Sequence, residues 1–332
     1  MLEHGGRLHQ AVITYGIAPA DWLDLSTGIS PHAWPVPELP AEAWQRLPED
    51  DDGLVDVAQA YYGAPQLLPV AGSQAAIQAL PSLRGPSRVG VIAPGYNEHA
   101  HAWRRAGHEV SCLSASSLLE RVDGLDVIVL IHPNNPGGER FEREALLACH
   151  ARLSARGGWL IVDEAFMDVT PEDSLSPFAT RDDLVVLRSV GKFFGLAGIR
   201  AGFVCASRPL LDTLRDYLGP WTLSGPTRHV LKLALADRGW QTEARGWLRH
   251  RSARLAEVLR MHAITPTAGC ALFHWWRDEQ APMWHHALAA RGILTRLFDE
   301  PRSLRFGLPA DEAGLLRLGE ALASIRSMGL GR

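Results

Sequence analysis

Short apolar runs alternate with amphipathic stretches from residue 67 to residue 207, and few folds accommodate such a pattern. Most of the runs lack polar alternation, which is typical of strands in a parallel sheet that is covered on both faces. Helical patterns separate them near residues 73–83, 97–107 and 141–156. The alternation predicts an open α/β sheet, mainly parallel and lying between helices, whose ligand lies at the carboxyl ends of the strands. The predicted strands are 68–71, 89–93, 110–113, 127–132, 160–162, 184–187 and 202–206.

A long helical pattern at residues 240–261 marks a change in the organisation of the chain. Beyond it, strand-like runs at 270–276, 293–297 and 304–306 mix with helical patterns, which predicts a smaller α+β unit. The predicted parts are an N-terminal arm (1–32), a large α/β domain (33–239) and a small α+β domain (240–332).

Charge and composition restrict the possible partners. The 332 residues include 33 basic and 37 acidic side chains, a formal net charge of −4, and 46% of the residues are hydrophobic. This balance argues against nucleic acid or a membrane as the main partner, since each requires concentrated positive charge, and favours a small molecule. Scattered cysteines without metal-ligand spacing predict reduced thiols and no metal site. Because no run of 18 apolar residues and no secretion signal is found, we expect a cytoplasmic protein.

Lys192 lies among small and apolar residues in the segment 189–202, which reads Ser-Val-Gly-Lys-Phe-Phe-Gly-Leu-Ala-Gly-Ile-Arg-Ala-Gly. A lysine in a poorly solvated pocket near another cation is disfavoured as an ammonium ion, so its amine becomes a nucleophile suited to Schiff-base chemistry. Ser189 and Arg200 are suited to hold a phosphate beside that amine, and pyridoxal phosphate carries both an aldehyde and a phosphate. For the segment taken alone, a surface lysine in a glycine-rich turn is the alternative.

Two glycine turns follow predicted strands. The first, Gly72-Ser73-Gln74, opens a helix, and backbone amides at a helix N-terminus bind anions such as phosphate. The second, Pro94-Gly95-Tyr96, offers an aromatic ring for contact with a flat heterocycle. An ordinary N-cap also explains the first turn, and a tyrosine packed at the sheet edge also explains the second.

Two further predicted strands end in polar residues. The stiff loop after residue 132 presents Asn134 and Asn135 between prolines, and suits an amide that points at a ring hydroxyl or a carboxylate, although turn chemistry explains the same residues. Asp163 emerges from an apolar run, where an unpaired carboxylate is costly. A pyridinium N–H is a fitting partner for it, and protonation at that nitrogen makes the ring a strong electron sink.

In their order along the chain, these motifs resemble those of the fold-type I pyridoxal-phosphate enzymes. Within that superfamily the chain is similar to the histidinol-phosphate aminotransferase group, and most of all to the threonine-phosphate decarboxylases of cobalamin biosynthesis, whose N-terminal His-Gly-Gly matches His4-Gly5-Gly6. The resemblance covers nearly the whole chain. It implies pyridoxal 5'-phosphate as cofactor, a homodimer, and an N-terminal arm that packs on the active site.

The resemblance also implies roles for individual positions in the large domain. Lys192 would bind the cofactor aldehyde, Asp163 would pair with the pyridine nitrogen, and Asn135 would reach the ring hydroxyl and the substrate carboxylate. Tyr96 would stack on the ring. The cofactor phosphate would be held by Ser73, Gln74 (mostly through backbone amides), Ser189 and Arg200.

For the substrate, the resemblance points to two arginines in the small domain. Arg305 would bind the substrate carboxylate as a bidentate pair, and Arg296 would surround the substrate phosphate together with the arm. Surface ion pairs are the alternative for both arginines. The remaining implied substrate-binding residues are His4, Gly5 and Gly28.

Two positions depart from the pattern of the family. Phe166 stands where aminotransferases often have a tyrosine that binds the ring hydroxyl, which leaves that contact to Asn135. Leu47 precedes Pro48 where the histidinol-phosphate group has a tyrosine that reaches the phosphate of the neighbouring subunit. The contact across subunits is therefore in question.

The implied activity is decarboxylation of L-threonine O-3-phosphate, a phosphorylated amino acid, to 1-amino-2-propanol phosphate. Two alternatives stay open. One is transamination of the histidinol-phosphate type, in which the Cα–H bond is aligned with Lys192 as general base. The other is a catalytically silent regulatory domain that binds pyridoxal phosphate, since a fold does not dictate a function.

Overall fold

The structure is a computed structural model that describes residues 4–327. The chain divides into two compact units. The first contains the N-terminal segment up to His32, Pro136–Gly138 and the C-terminal segment from Glu243, and the second contains Ala33–Asn135 and Glu139–Thr242. Residues 1–3 of the predicted arm lie outside the described residues, and the predicted domain boundaries after residues 32 and 239 stay a prediction.

Helices and strands follow one another along most of the described chain. The α-helices in chain order are α1 (Leu8–Tyr15), α2 (Glu42–Gln45), α3 (Leu54–Tyr62), α4 (Ser73–Ala79), α5 (Glu98–Arg105), α6 (Ala115–Glu120), α7 (Arg143–Ser154), α8 (Val190–Phe193), α9 (Arg208–Leu218), α10 (Gly225–Ala236), α11 (Arg238–Met261), α12 (Ala281–Ala289) and α13 (Glu312–Ser327). The strands in chain order are β1 (Leu23–Asp24), β2 (Leu68–Val70), β3 (Arg88–Ile92), β4 (Glu109–Leu113), β5 (Val127–Ile131), β6 (Trp159–Asp163), β7 (Leu184–Ser189), β8 (Gly202–Cys205), β9 (Ala268–Cys270), β10 (Phe273–Arg277), β11 (Ile293–Leu294), β12 (Arg296–Phe298) and β13 (Ser303–Gly307).

A seven-stranded sheet forms the centre of the second unit, with the strand order β2-β8-β7-β6-β5-β3-β4. The strands from β4 to β7 are parallel to one another, and β8 runs antiparallel to both of its neighbours. Every residue of β5 and β6 is buried, which agrees with the apolar sequence of both strands up to Asp163 at the end of β6. The predicted α/β fold with a mainly parallel, mixed sheet is confirmed.

The carboxyl ends of the central strands meet at one edge of this sheet. Ile131, the last residue of β5, pairs with Asp163, the last residue of β6. Asp163 in turn pairs with Leu187 of β7, and Ser189 ends that strand. Side chains and loops that follow these strands are therefore neighbours although they are far apart in the sequence.

The first unit contains a four-stranded antiparallel sheet, ordered β12-β13-β10-β9, and a separate parallel pair of β1 and β11. The prediction of one strand at 270–276 is wrong, because β9 and β10 form a hairpin in which Cys270 pairs with Phe273. The single strand predicted at 293–297 is also interrupted at Thr295, where the chain passes from pairing with β1 to pairing with β13.

The long helix α11 forms as its apolar spacing predicts. Leu248, Leu255 and Leu259 recur every four or seven residues and are fully buried, so they form one apolar stripe along the helix. Within residues 4–327 no helix combines the length and the hydropathy that are needed to cross a membrane. The same residues contain no cluster of three or more His, Cys, Asp and Glu side chains placed to hold a metal ion.

Candidate active site

A pocket of about 160 Å³ in the second unit lies at the carboxyl edge of the seven-stranded sheet. Ile131 and Asp163 reach it from the ends of β5 and β6, and Ser189 reaches it from the end of β7. The structure thus brings together all the residues of this unit that the sequence analysis proposed for cofactor binding. The residues that line the pocket are Gly72, Ser73, Gln74, Tyr96, Ile131, Asn135, Asp163, Ala165, Phe166, Ser189, Lys192 and Arg200.

One end of the pocket is built from the turn before α4 and from Arg200. Gly72 has a left-handed backbone with φ of 74°, and a Cβ atom added to it would lie 2.8 Å from the Arg200 guanidinium. Arg200 is itself left-handed, with φ of 52°. The guanidinium and the first backbone amides of α4 are therefore close because position 72 has no side chain, and together they suit an anionic group.

Both polar atoms of the Gln74 side chain form hydrogen bonds with neighbouring side chains, so this side chain is not available to a ligand. Its Oε1 accepts a hydrogen bond from the Tyr96 hydroxyl at 3.1 Å, and its Nε2 donates to Glu98 Oε2 at 3.0 Å. Burial raises the pKa of Tyr96 to about 12, so this hydroxyl stays neutral at physiological pH. Gln74 thus fixes the position of the Tyr96 ring and leaves its backbone amide for the anion.

Asp163 is a buried carboxylate with both oxygens bound by protein groups. Oδ1 accepts a hydrogen bond from the Ala165 backbone N–H at 3.0 Å. Oδ2 lies 2.9 Å from Nε2 of His99, a residue that is 1% exposed. The sequence analysis missed His99. Its available signal was a spacing of three residues from Tyr96, which places both near the start of α5.

Lys192 lies on the short helix α8, directly after β7, and is half-buried. Its Nζ atom is 5.9 Å from the centre of the Phe166 ring, and that ring is buried. Phe193 and Phe194, which follow it in the chain, are also buried. The ring beside the amine is therefore a phenylalanine where a tyrosine would have offered a hydroxyl.

The loop that carries Asn135 is fixed by its neighbour Asn134, which is fully buried. Asn134 Nδ2 donates to the Pro94 carbonyl oxygen at 2.9 Å and to Glu139 Oε2 at 2.6 Å. This side chain connects the loop of Asn135 with the loop of Tyr96. The sequence analysis noted Asn134 but gave it no such role, because the Pro94 contact joins residues 40 positions apart.

Arg188 forms a buried ion-pair network beneath the pocket, which the sequence analysis also missed. Its guanidinium contacts Glu164, and Nη2 lies 3.1 Å from Asp168 Oδ1. The Tyr62 ring lies 4.6 Å from the centre of the guanidinium. Burial raises the pKa of Glu164. These contacts hold the segment after Asp163, so Glu164 has a structural partner within the protein.

In the first unit, Gly5 and Arg305, two of the predicted substrate-binding residues, both contact Ser26. Arg305 is buried and donates from Nη2 to the Ser26 carbonyl oxygen at 2.8 Å, while Gly6 N–H donates to Ser26 Oγ at 2.8 Å. Gly5 approaches the same carbonyl so closely that a Cβ would not fit. His4 precedes this contact and Gly28 follows two residues after Ser26, so the arm and Arg305 are neighbours in this unit.

Arg296 and Arg305 face each other across the antiparallel pair β12–β13. Burial, and secondarily the charge of Arg296, lower the pKa of Arg305 to about 10. Arg305 therefore stays cationic at neutral pH in a poorly solvated position. Directly opposed like charges are unfavourable in a sheet, so an anionic ligand beside Arg296 and Arg305 would be stabilising.

The model of the family described as aminotransferase class I and II matches residues 54–322. The chain belongs to this family. A threonine-phosphate decarboxylase of Pseudomonas aeruginosa is 56% identical over 326 residues, which are 98% of this chain and 98% of that protein.

Solved structures with a similar fold are also found. L-threonine-O-3-phosphate decarboxylase from Porphyromonas gingivalis has a TM-score of 0.77 at 18% identity, covering 91% of this chain and 99% of that one. Histidinol-phosphate aminotransferase from Sinorhizobium meliloti, in complex with pyridoxal-5'-phosphate, has a TM-score of 0.81 at 18% identity and covers 99% of this chain and 96% of that one. At this identity, the likeness establishes the shared fold.

The residues of the pocket fit the cofactor of the family, pyridoxal 5'-phosphate. The space above Gly72, beside Arg200 and the α4 amides, suits its phosphate. Lys192 supplies an amine, and Asp163 supplies a buried carboxylate that lines the pocket. The roles of the individual residues stay predictions.

Proposed function

We propose that this protein decarboxylates L-threonine O-3-phosphate to (R)-1-amino-2-propanol O-2-phosphate, with pyridoxal phosphate as cofactor, for the side chain of cobalamin. One observation carries the proposal: the chain shares 56% of its residues, over nearly the full length of both proteins, with a relative that bears the name threonine-phosphate decarboxylase. Two further relatives of that name are 41% and 30% identical.

In the second unit, we assign the cofactor-binding roles to the residues of the pocket. Lys192 holds the cofactor through its amine, and the buried Asp163 carboxylate pairs with the ring nitrogen. Tyr96, fixed by Gln74, covers the ring, and Asn135 binds the ring hydroxyl. The phosphate is bound by Arg200, Ser189 and the backbone amides of Ser73 and Gln74.

In the first unit, we assign the substrate anions to the arginine pair and the arm. Arg305 binds the carboxylate, since its buried guanidinium presents a planar fork that matches this group. Arg296 binds the phosphate together with His4, Gly5 and the backbone of Gly28. The carboxylate and the phosphate of the substrate thus neutralise the charges of Arg305 and Arg296, which lie on adjacent strands.

The reaction requires that the bond from Cα to the carboxylate breaks and leaves its electron pair on Cα. Bound pyridoxal phosphate supplies the electron sink for that pair. Arg305 orients the carboxylate, and Lys192, whose amine the substrate amine would replace on the cofactor, would deliver a proton to Cα after carbon dioxide has left. The Asp163 carboxylate would pair with the ring nitrogen of the bound cofactor.

The proposal is tested by the release of carbon dioxide from O-phospho-L-threonine. We expect stoichiometric carbon dioxide and an amine phosphate without any keto acid, and no turnover of free L-threonine, since it lacks the anion for Arg296. Lys192→Ala is the control and is expected to release no carbon dioxide. Failure of the wild-type protein to release carbon dioxide contradicts the proposal.

A transaminase of the histidinol-phosphate type is the alternative that the fold supports. Such an enzyme would transfer the amino group of histidinol phosphate to 2-oxoglutarate and release no carbon dioxide. A silent regulatory protein would bind pyridoxal phosphate, yet its absorption spectrum would not respond to any amino acid phosphate. The three outcomes are distinguished by carbon dioxide, glutamate and the visible spectrum of one preparation.

We propose further that the protein acts as a homodimer. Trp44 and Leu47 are 69% and 67% exposed, and Val36 is 50% exposed in the same segment. Exposed large apolar side chains in one short stretch favour an interface with another protein surface. The short helix α2 that carries Trp44 is seated on α10, where Gly225 closely approaches the backbone of Ala43. A second copy of the chain is the proposed occupant of this surface.

A cytoplasmic location is proposed from the cysteines. None of the four cysteines, Cys112, Cys149, Cys205 and Cys270, forms a disulfide. A reducing compartment maintains such thiols without oxidation.

A further inference from the structure

Ser26 is a small buried residue on which two distant parts of the first unit converge. Its Oγ atom accepts a hydrogen bond from the Gly6 N–H at 2.8 Å, and its carbonyl oxygen accepts one from Arg305 Nη2 at 2.8 Å. Gly6 lies 20 residues before Ser26, whereas Arg305 lies 279 residues after it. One residue therefore connects the N-terminal arm with the arginine that is proposed to bind the substrate carboxylate.

The direction of the Ser26 hydroxyl is fixed by Asp24. The hydroxyl donates to Asp24 Oδ1 at 2.6 Å, and the Ser26 backbone N–H donates to the same oxygen at 2.8 Å. Because a carboxylate oxygen accepts and does not donate, the hydroxyl proton points at Asp24. A lone pair of Oγ then remains for the Gly6 N–H, so a serine at position 26 serves both contacts at once.

The arm covers the bond between Ser26 and Arg305. A Cβ atom added to Gly5 would lie 2.2 Å from the Ser26 carbonyl oxygen, so the backbone of Gly5 lies against that atom. Gly6 has a left-handed backbone with φ of 80°, which glycine adopts without strain. A hydrogen bond is stronger in an environment of low dielectric constant, so the docked arm strengthens the contact of Arg305 with Ser26.

Two further contacts hold Arg305 at this place. The ring of Phe273, which is fully buried, has its centre 5.1 Å from the guanidinium carbon of Arg305. Two residues further along β13, the Gly307 N–H donates to the Leu25 carbonyl oxygen at 2.8 Å. The strand is thereby fixed beside the segment of Ser26, and the Ser26 carbonyl oxygen orients the guanidinium.

We propose that Ser26 is a positioning residue that couples docking of the arm to the orientation of Arg305. It acts through Gly6 and Arg305 and not on the substrate. The inference rests on the proposed function in one respect, the binding of the substrate carboxylate by Arg305. Coupling is reciprocal: loss of the arm weakens the Arg305 contact, and loss of that contact loosens the arm by the same factor.

Hydrogen exchange of the Gly6 amide tests the coupling without catalysis. It is measured on the purified full-length protein with pyridoxal phosphate bound, by mass spectrometry with fragmentation to single residues. Ser26→Ala removes the acceptor of this amide, and we expect exchange to be about threefold to tenfold faster. Arg305→Lys leaves that acceptor in place, and we expect exchange to be about twofold to fivefold faster. The double variant should exchange no faster than Ser26→Ala alone.

A matched control is Ser30→Ala. Ser30 is 2% exposed, as is Ser26, and its Oγ donates to the His32 carbonyl oxygen at 3.0 Å in the same N-terminal segment. This variant should leave exchange of the Gly6 amide unchanged, and urea unfolding verifies that each variant is folded. Unchanged exchange in Ser26→Ala or in Arg305→Lys, or equal acceleration in Ser30→Ala, would overturn the inference.

Steady-state kinetics then test the consequence for the substrate. Ser26→Ala is expected to raise KM for O-phospho-L-threonine about threefold to tenfold and to change kcat less than about twofold, because Arg305 holds the carboxylate before and during the reaction. A lower kcat with unchanged KM would contradict the positioning role. A wild-type protein that releases no carbon dioxide would contradict the proposed reaction and leave the exchange comparison valid.

Discussion

Gly72 shows how one backbone position organises the anion end of the pocket. Its left-handed φ and the 2.8 Å approach of the Arg200 guanidinium to a hypothetical Cβ both exclude an ordinary side chain. A side chain at position 72 would therefore both strain the backbone and displace the Arg200 guanidinium.

We expect Gly72→Ala to lower the free energy of unfolding by about 1–3 kcal/mol. It should also weaken pyridoxal phosphate binding tenfold or more, because Arg200 must move from the anion. Gly198→Ala is the control, since Gly198 is exposed and a Cβ there would meet nothing within 4 Å. Urea unfolding and cofactor titration measure both effects. Similar losses in the two variants would contradict this explanation.

The free energy of unfolding is expected to depend on pH through His132, and the direction of this dependence follows from the pKa of its side chain. Burial lowers the pKa of this histidine from 6.5 to about 4. Between these values the unfolded chain binds a proton that the folded protein does not, so stability falls as the pH decreases from 6.5 to 4.

The expected share of His132 in this loss is about 2 kcal/mol between pH 7.5 and pH 5. His132→Gln removes the titrating group, so its free energy of unfolding should decline by about that much less over the same interval. Urea unfolding at both pH values provides the measurement, and the comparison at pH 7.5 corrects for lost packing. A parallel decline in both proteins would refute the assignment.

Some residues of the site could be predicted from the sequence and others could not. Lys192, Asp163, Asn135 and Tyr96 were found because each follows a recognisable strand, and such strand ends share one edge of a parallel sheet. His99 was not found, because its meaning depends on a partner 64 positions away. No local pattern specifies a contact of that kind, and the same holds for the Pro94 contact of Asn134.

At the scale of elements, the turn after β6 is held by buried charge. Arg188 contacts Glu164 and Asp168 with side chains that are 2%, 0% and 1% exposed. Removing one member of such a cluster leaves uncompensated charge in an environment that solvates it poorly.

Arg188→Met is therefore expected to destabilise the protein by about 3–5 kcal/mol. Arg88→Met is the control, because Arg88 also pairs with a carboxylate, Asp126, but its side chain is 53% exposed. A solvated pair of this kind contributes less than about 1 kcal/mol. Midpoints of urea unfolding, analysed with a common slope, give the comparison. Equal shifts would indicate that burial does not set the contribution of Arg188.

The elements of the large sheet were predictable because their apolar runs are continuous and separated by helices. The strands of the four-stranded sheet were less predictable. The run at 270–276 contains a hairpin, and apolar content does not show where a chain reverses. The break at Thr295 depends on two different partner strands, and one of them, β1, lies about 270 residues away in the sequence.

At the scale of the molecule, the proposed homodimer makes a prediction about mass. Leu47→Glu places a charge on the exposed apolar segment and should shift the protein from twice its 36.3 kDa chain mass toward the monomer. Leu316→Glu, at a leucine that is 64% exposed on α13, is the comparison and should remain dimeric. Sedimentation equilibrium determines both masses. A wild-type protein that sediments as a monomer would contradict the proposal.

The strand order of the large sheet has a consequence for synthesis on the ribosome. β2, the first strand of that sheet to be translated, pairs with β8, the last to be translated. The pocket likewise extends in sequence from Gly72 to Arg200. A nascent chain that has not yet released Cys205 lacks the partner of its first strand. The large sheet, with the pocket at its carboxyl edge, can therefore be completed only after residue 205 has been synthesised.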